Sequence, residues 1–445
     1  MRKYDIIIVG GSAAGIPAAI TARRHYPSKT IALIRKEKQV LIPCGIPYIF
    51  GTVDSTDNNL ISDKVLEQNK IDLIIDEAKQ IDCTSKLVII SRDEKISYDK
   101  LVLATGSTPL NLPIPGIDKQ NVFVVEKDVS YLNKMLQRLN NAKNVVVLGG
   151  GFIGVEFADE LRKRGLNVSI VEMLSHCLML AFDESFCQEA EEILRRNGVD
   201  ILADVRLDKI LGDDKVNQIQ LSDGRVVDAD IVLIGIGVRP NIALAESAGI
   251  EIRNDGIVVD AHMQTSDENV FACGDCTIKK SFFTGKPTNL KLASIATMES
   301  RVAGANLFEI KRKQEGVIGV FSTIVDNTVF AVAGLGEKQA CALDYNVVVG
   351  EVEAPNRHPG KMPGATNIKL KLVFNKSNGE ILGGTARGSD SVGEMINTIS
   401  ACIQKKMTAN DIAQFQLGTH PAVTASPIAY QLVNAAELAI RKMSQ

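Results

Sequence analysis

Cys44 is the residue of this sequence best suited to do chemistry. It stands in Pro43-Cys44-Gly45-Ile46-Pro47-Tyr48. Proline at the first position of a helix sacrifices no hydrogen bond, so Pro47 predicts a helix beginning just after the cysteine. The sulfur is then expected near a helix N-terminus, which favours the nucleophilic thiolate. The next cysteine along the chain is Cys83, so Cys44 is not half of a two-cysteine centre. Its sulfur must cycle through a mixed disulfide, a persulfide or a sulfenic acid. Of the others, Cys83, Cys177, Cys187, Cys341 and Cys402 read as small buried hydrophobes. Cys273-Gly274-Asp275-Cys276 has a redox-like spacing, but the Gly-Asp step inside it has a better use, and no metal site is expected. His420 lies in a segment of Gly, Thr and Pro. It is a candidate proton donor to a leaving thiolate, although by itself it reads equally as a surface histidine.

Two glycine turns must position whatever Cys44 works with. An apolar run over 4–9 enters Gly10-Gly11-Ser12-Ala13-Ala14-Gly15, then an Ala-rich helical stretch over 16–24 and a strand over 31–34. The pattern returns with a strand over 145–148, Gly149-Gly150-Gly151-Phe152-Ile153-Gly154, a helix over 155–164 and a strand over 168–171. A glycine turn entering a helix suits a pyrophosphate, because the backbone approaches closely and the N–H groups at the helix start point at the anion. In the first copy Ser12 replaces the middle glycine. The second copy has Gly149, Gly151 and Gly154, with Glu172 at the end of the next strand. An acid there bonds a ribose 2′-hydroxyl and disfavours a 2′-phosphate, so NADH is expected, with NADPH the alternative. Arg35 occupies the matching strand end of the first copy, as a group to stack on adenine, to pair with a phosphate, or simply to face solvent.

Residues 99–106 read as a strand into a glycine turn, and the Pro-rich 110–116 as a linker. A buried strand over 231–237 is broken at Arg239-Pro240-Asn241, and another over 269–273 stops at Gly274-Asp275. Beyond residue 317 the texture changes. Segments 317–325, 329–334, 346–352 and 368–374 alternate as antiparallel strands, with 375–379 as a hairpin turn. Three helices follow, over 391–406, from Thr408 with Asp411 as its capping partner, and over 427–443. The fold class is α/β.

At roughly 150 residues per domain, 445 residues amount to about three domains, and 45% hydrophobic with 23% charged residues is globular composition. A net charge of −3 gives no electrostatic reason to bind nucleic acid or an acidic membrane, so small-molecule partners are expected. Eight cysteines are too sparse for a disulfide framework. Neither a signal peptide nor an uncharged apolar run of about 18 residues is visible, and a reduced cytoplasmic setting is expected.

Taken together, Gly10 to Gly15, Cys44, Ala104-Thr105-Gly106, Gly149 to Gly154, Gly237-Val238-Arg239-Pro240-Asn241 and Phe271-Ala272-Cys273-Gly274-Asp275 resemble the flavin-dependent pyridine nucleotide-disulfide oxidoreductases. The single cysteine resembles the coenzyme A-disulfide reductase, NADH oxidase, NADH peroxidase and persulfide reductase branch. The resemblance implies two Rossmann-like domains of the glutathione reductase type, for FAD (1–112 and 243–318) and NAD(P)H (113–242), and a C-terminal α+β dimerisation domain (319–445). It implies that Gly10, Gly11, Ser12, Ala13, Ala14, Gly15, Arg35, Thr105, Gly106, Asp275 and the backbone at Ala293 hold FAD. Gly149, Gly151, Gly154, Glu156, Glu172 and Gly237 would hold NADH. In a homodimer the C-terminal segment with His420 would enter the partner chain's active site. Arg23 and Arg24 match the basic helix end that the family presents to the phosphates of coenzyme A, and equally suit compensation of a helix dipole.

Four departures narrow the choice. Ala13 replaces the histidine that peroxidases and oxidases carry in the first glycine loop. Residues 40–44 differ from the coenzyme A-disulfide reductase approach to its cysteine, and His358 and Thr419 replace two tyrosines of those enzymes. Ala425 stands where a catalytic histidine's glutamate partner would be. The expected function is NADH-dependent reduction of a low-molecular-weight disulfide, persulfide or polysulfide, in the manner of coenzyme A-disulfide reductases. The alternatives are an NADH oxidase cycling Cys44 through sulfenic acid and a non-catalytic flavin-binding redox sensor.

Overall fold

The computed structural model describes every residue except Asn111 and Asp255. The linker expected over 110–116 includes Asn111, which lies outside the described residues. The chain divides into two compact units, one of residues 1–113, 123–142 and 236–317, the other of 114–122, 143–235 and 318–445.

In the first unit, Asp72–Ile75, Ile31–Arg35, Arg2–Val9 and Lys95–Leu103 lie side by side as parallel strands. Ile6, Ile7, Ile8 and Leu33 are wholly buried, as expected of parallel strands covered on both faces. The far side of Lys95–Leu103 is shared. Its start pairs antiparallel with Leu87–Ile90, and its end pairs parallel with Val270–Ala272. The helix Gly15–His25 follows the first strand and packs on the helix Ala293–Ala305. A side chain at Gly304 would come within 2.5 Å of the Ala18 carbonyl oxygen, so the glycine sets how closely those helices approach.

In the second unit, Ile231–Ile234, Asn144–Leu148, Asn167–Val171 and Val199–Leu202 are parallel neighbours, with the helix Phe152–Lys163 between the second and third of them in sequence. The strand expected over 231–237 ends at Ile234, ahead of Gly235 and Gly237. A five-stranded antiparallel sheet runs in the order Val320–Val325, Thr328–Gly334, Ile381–Gly388, Asn367–Asn375, Val347–Pro355. Its central strand, Ile381–Gly388, was not expected, because Gly383 and Gly384 interrupt the apolar alternation. Those glycines are packing requirements. A β-carbon on Gly383 would meet the Leu335 carbonyl oxygen at 2.1 Å, and one on Gly384 the Leu372 side chain at 2.8 Å. The helix Ser391–Gln404 covers this part of the sheet.

Thr408 caps the helix Ala409–Ala413 as expected. Its hydroxyl accepts from the Asp411 N–H at 3.2 Å, and the Asp411 carboxylate accepts from the Thr408 N–H at 2.8 Å. The last helix, expected from 427, begins as a 3-10 turn at Pro427–Ala429 and becomes α-helical over Gln431–Met443.

Candidate active site

The first glycine turn is built by close backbone packing. The Gly10 N–H donates to the Ile34 carbonyl at 2.9 Å, and the Ala104 N–H donates to the Val9 carbonyl at 2.8 Å. Gly10 has φ +110°, and a β-carbon there would lie 2.1 Å from the Ala104 oxygen. A β-carbon on Gly15 would lie 1.8 Å from the Gly10 oxygen. The helix that follows has no side-chain cap and no acid in its first turn. The helix start therefore carries no side-chain acceptor to compete with an anion, although the Ile16 N–H donates to the Ser12 carbonyl at 3.2 Å and Pro17 has no N–H. The helix Ala293–Ala305 likewise starts without a side-chain cap or a first-turn acid.

Arg35 is neither a solvent-exposed strand end nor a group with its edge available to a phosphate. Its side chain is 1% exposed and makes a bidentate pair with Asp63, both contacts 2.7 Å, while the remaining bonds go to the Glu37 and Lys38 carbonyls. Its aliphatic stem lies against Gly11. Asp63 went unnoticed in the sequence because it is distant along the chain.

Arg23 does not serve as a phosphate-binding cation either. Its guanidinium donates to the carbonyls of Pro27, Lys29, Asn69 and Lys70 at 2.6 to 3.0 Å. It is committed to tying the end of its helix to two loops and has no edge left for a phosphate. Arg24 is exposed.

Thr105 and Gly106 meet the segment that includes Asn241. The Thr105 hydroxyl donates to the Asn241 carbonyl at 2.7 Å, and the Asn241 N–H donates to the Gly106 carbonyl at 2.9 Å. Gly237, expected to hold NADH, falls in the first unit, where its carbonyl accepts from the Leu110 N–H at 3.1 Å. Asp275 accepts a 2.8 Å bond from the Ser107 hydroxyl, a partner the sequence did not announce. Burial pushes the nearby Lys291 ammonium down, with the Asp275 charge opposing.

Cys44 lies in the 3-10 turn Pro43–Gly45, followed by a second 3-10 turn at Pro47–Phe50. The expected α-helix start is not there, and a helix dipole is not the source of any activation. What defines the turn is Asn59, which is buried. The Asn59 side-chain amide donates to the Ile42 carbonyl at 3.0 Å, the Ile42 N–H donates to the Asn59 main-chain carbonyl at 2.9 Å, and a β-carbon on Gly45 would strike the Asn59 side-chain oxygen at 2.0 Å. Cys44 is exposed. The other first-unit cysteines differ: Cys83 is partly buried, Cys273 and Cys276 are fully so, and burial raises all three thiols. Cys177, Cys187 and Cys402 are buried as expected, whereas Cys341 is exposed on the short helix Glu337–Ala342. Among the described residues no group of His, Cys, Asp and Glu could hold a metal ion.

In the second unit, Gly149 has φ +101°, and a β-carbon on Gly154 would lie 1.8 Å from the Gly149 oxygen, repeating the first turn. Gly151 faces open space at the start of an uncapped helix. The two Glu172 oxygens accept from the Gly150 N–H at 2.6 Å and the Leu174 N–H at 2.8 Å. An ionised carboxylate has about four acceptor positions, so capacity for a ribose hydroxyl remains. A buried acid missed in the sequence, Glu191, pins the loop that follows. It accepts from the Cys177 N–H at 2.8 Å and meets the His176 ring at 3.2 Å.

Glu156 turns its carboxyl to the Thr323 hydroxyl at 3.0 Å. Burial pushes its pKa up to about 7, the Thr323 bond opposes this and the Glu160 charge adds to it. A carboxyl held protonated by the fold stabilises it below the unfolded value of 4.5, and that contribution is lost as pH rises towards 7. Stability is therefore expected to fall by on the order of 3 kcal/mol over this window. Glu156→Gln should remove that component, seen as a flatter dependence of melting temperature on pH; an unchanged slope would show that Glu156 does not titrate there.

His420 is exposed in the second unit. Its Nδ1 accepts from the Ala422 N–H at 3.2 Å, which leaves Nε2 as the proton-bearing nitrogen of the neutral ring. His358 is brought to the same segment, its N–H donating to the Pro421 carbonyl and its Nδ1 meeting the Thr424 carbonyl, both at 3.1 Å.

Residues 4–300 match the pyridine nucleotide-disulphide oxidoreductase family, and residues 320–428 match that family's dimerisation domain. The chain belongs to the pyridine nucleotide-disulphide oxidoreductases. It is 34% identical to an NADH oxidase of Methanocaldococcus jannaschii, covering 98% of this chain and 99% of that one. It is 29% identical to an NAD(P)H coenzyme A polysulfide/persulfide reductase of Pyrococcus horikoshii, covering 92% and 93%. Among solved structures, an NAD-dependent persulfide reductase from A. fulgidus superimposes with a TM-score of 0.91 at 30% identity, over 99% of this chain and 83% of that one. As a member of this family the chain is an oxidoreductase using FAD and NAD(P)H. The two uncapped helix starts behind close-packed glycines fit the pyrophosphates of those cofactors. Among the described residues no helix is long and apolar enough to cross a membrane.

Proposed function

We propose that this oxidoreductase uses NADH to reduce a low-molecular-weight disulfide, persulfide or polysulfide at Cys44. The observation that carries the reading is the contrast among the first-unit cysteines, since only Cys44 is exposed while burial raises the other three thiols. The similarity to persulfide reductases supports the same substrate class. The cofactor contacts are those of the first glycine turn, Thr105, Gly106, Asp275 and Ala293 for FAD, and of Gly149 to Gly154, Glu156 and Glu172 for NADH. FAD, when bound, supplies the two-electron relay between NADH and the sulfur of Cys44. The Cys44 thiolate attacks one sulfur of the substrate, forming a mixed disulfide or a persulfide at Cys44 and expelling a thiolate, which takes a proton from water or from Nε2 of His420. The two electrons relayed from NADH would then break the new S–S bond, releasing the second thiol or H₂S and restoring the Cys44 thiolate. For a disulfide the balance is NADH + H⁺ + RSSR′ → NAD⁺ + RSH + R′SH; for a persulfide the products are RSH and H₂S.

The dimerisation domain supports a homodimer in which His420 of one chain serves the other, with the chain divided at about residues 112, 243 and 319 as the family divides. Arg24 remains the cation for a coenzyme A phosphate, and the cytoplasm suits a thiol that must stay reduced. A second reading, NADH oxidase, is favoured by the similarity to the Methanocaldococcus protein of that name, and disfavoured by Ala13 in the first glycine loop. Anaerobic NADH oxidation with coenzyme A disulfide, coenzyme A persulfide, polysulfide and glutathione disulfide, repeated in air without them, separates the two. Turnover in air far above that with every sulfur substrate would overturn the first reading.

A further inference from the structure

A buried ion pair, Lys279 with Glu299, grips one residue, Gly274, by both its N–H and its carbonyl. The two side chains are 2% and 1% exposed and meet at 2.8 Å. Glu299 Oε2 accepts from the Gly274 N–H at 2.8 Å, while Lys279 Nζ donates to the Gly274 carbonyl at 2.5 Å and to the Thr277 hydroxyl at 2.6 Å. Glu299 Oε1 has no partner, although it is buried. Burying two charges is seldom a net gain in stability, and leaving an acceptor unsatisfied adds to the cost. Such a pair calls for an explanation in geometry.

The geometry is that of the first glycine turn. Gly274 has φ +84°, and a β-carbon on it would fall 2.8 Å from the β-carbon of Ala14. Asp275 follows directly. Glu299 stands on the helix Ala293–Ala305, and two residues earlier on that helix the Thr297 hydroxyl donates to the Ala13 carbonyl at 3.1 Å. One helix thus holds Ala13 through Thr297 and Gly274 through Glu299, and so fixes the register between two segments remote in sequence.

We propose that Lys279 and Glu299 are positioning residues that set the Gly274-Asp275 turn against the first glycine turn, and through it the affinity for FAD. The inference rests on the assignment of that turn to FAD made above.

The test measures the dissociation constant of FAD by the flavin fluorescence released on diluting the purified holoenzyme, alongside its melting temperature. The double variant K279M/E299L replaces the pair with apolar groups and takes the acceptor from Gly274. K279M/E299Q removes the charges and keeps an acceptor. The expected result is a dissociation constant raised about tenfold or more in K279M/E299L and within about threefold of the parent in K279M/E299Q. Parent-like affinity in K279M/E299L, or equal weakening in both, would overturn the proposal. Should either double variant not fold, Thr297→Val leaves the pair intact and releases Ala13; weakening of at least threefold supports the registering helix, and unchanged affinity overturns it. A parent protein that holds no FAD would instead refute the assignment of the glycine turn, so the two failures are distinguishable.

Discussion

Replacing Cys44 by serine is expected to lower turnover of disulfide, persulfide or polysulfide by on the order of 10³-fold or more, because a hydroxyl cannot replace a thiolate as sulfur nucleophile. The bound flavin should still be bleached by NADH at close to the parental rate, since Cys44 does not belong to either glycine turn. The two readouts must separate for the assignment to hold. Sulfur turnover retained in C44S would remove Cys44 from the mechanism, and loss of NADH bleaching would mean that the substitution had damaged the cofactor site. The isosteric change is well suited to this, because the 3-10 turn is held by Ile42 and Asn59 through main chain and amide groups rather than by the sulfur.

The second large effect is expected from alanine at the last glycine of each turn. At Gly15 and at Gly154 the new β-carbon would sit 1.8 Å from a carbonyl oxygen of the same turn. That distance is far inside contact and the obstacle is backbone, so the turn must open, at about 3 kcal/mol or more. Because the turns lie in different units, the outcomes should differ in kind. Gly15→Ala should purify with most of its flavin missing, read from the ratio of flavin to protein absorbance. Gly154→Ala should keep its flavin while the NADH concentration for half-maximal bleaching rises about tenfold or more. Equal flavin loss in both variants, or a normal NADH requirement in Gly154→Ala, would contradict the division of labour between the turns.

The parts of the fold written in local pattern were legible in the sequence. Continuous apolar runs ending in glycine gave both strand–turn–helix units, and the Thr408-Asp411 spacing gave a capping box found as drawn. The parts that depend on distant partners were not. Arg35 looked like a strand-end charge because nothing local points to Asp63, and Arg23 looked available because its four carbonyl partners come from two loops. The strand Ile381–Gly388 was hidden by glycines whose value is the space they leave for Leu335 and Leu372. At Cys44 the proline signal was real but the turn it starts is of the 3-10 kind and short, so the activation argued from a helix terminus fails, and the exposure of the thiol comes from the structure alone. The pairs Ser107 with Asp275 and Lys279 with Glu299 join segments that only the folded chain brings together.

The late strand Val270–Ala272 has a consequence for biosynthesis. It covers the end of Lys95–Leu103, and Lys100 bonds Asn269 across a separation of 169 residues. While a ribosome makes the intervening chain, the C-terminal half of Lys95–Leu103 stands as an unpaired edge, a template for intermolecular pairing. The glycine turn that depends on the same strand end cannot be completed until Gly274 and the helix Ala293–Ala305 have emerged. Flavin capture is therefore a late event in the life of the nascent chain, and polypeptides stopped short of residue 270 should aggregate rather than accumulate as yellow fragments.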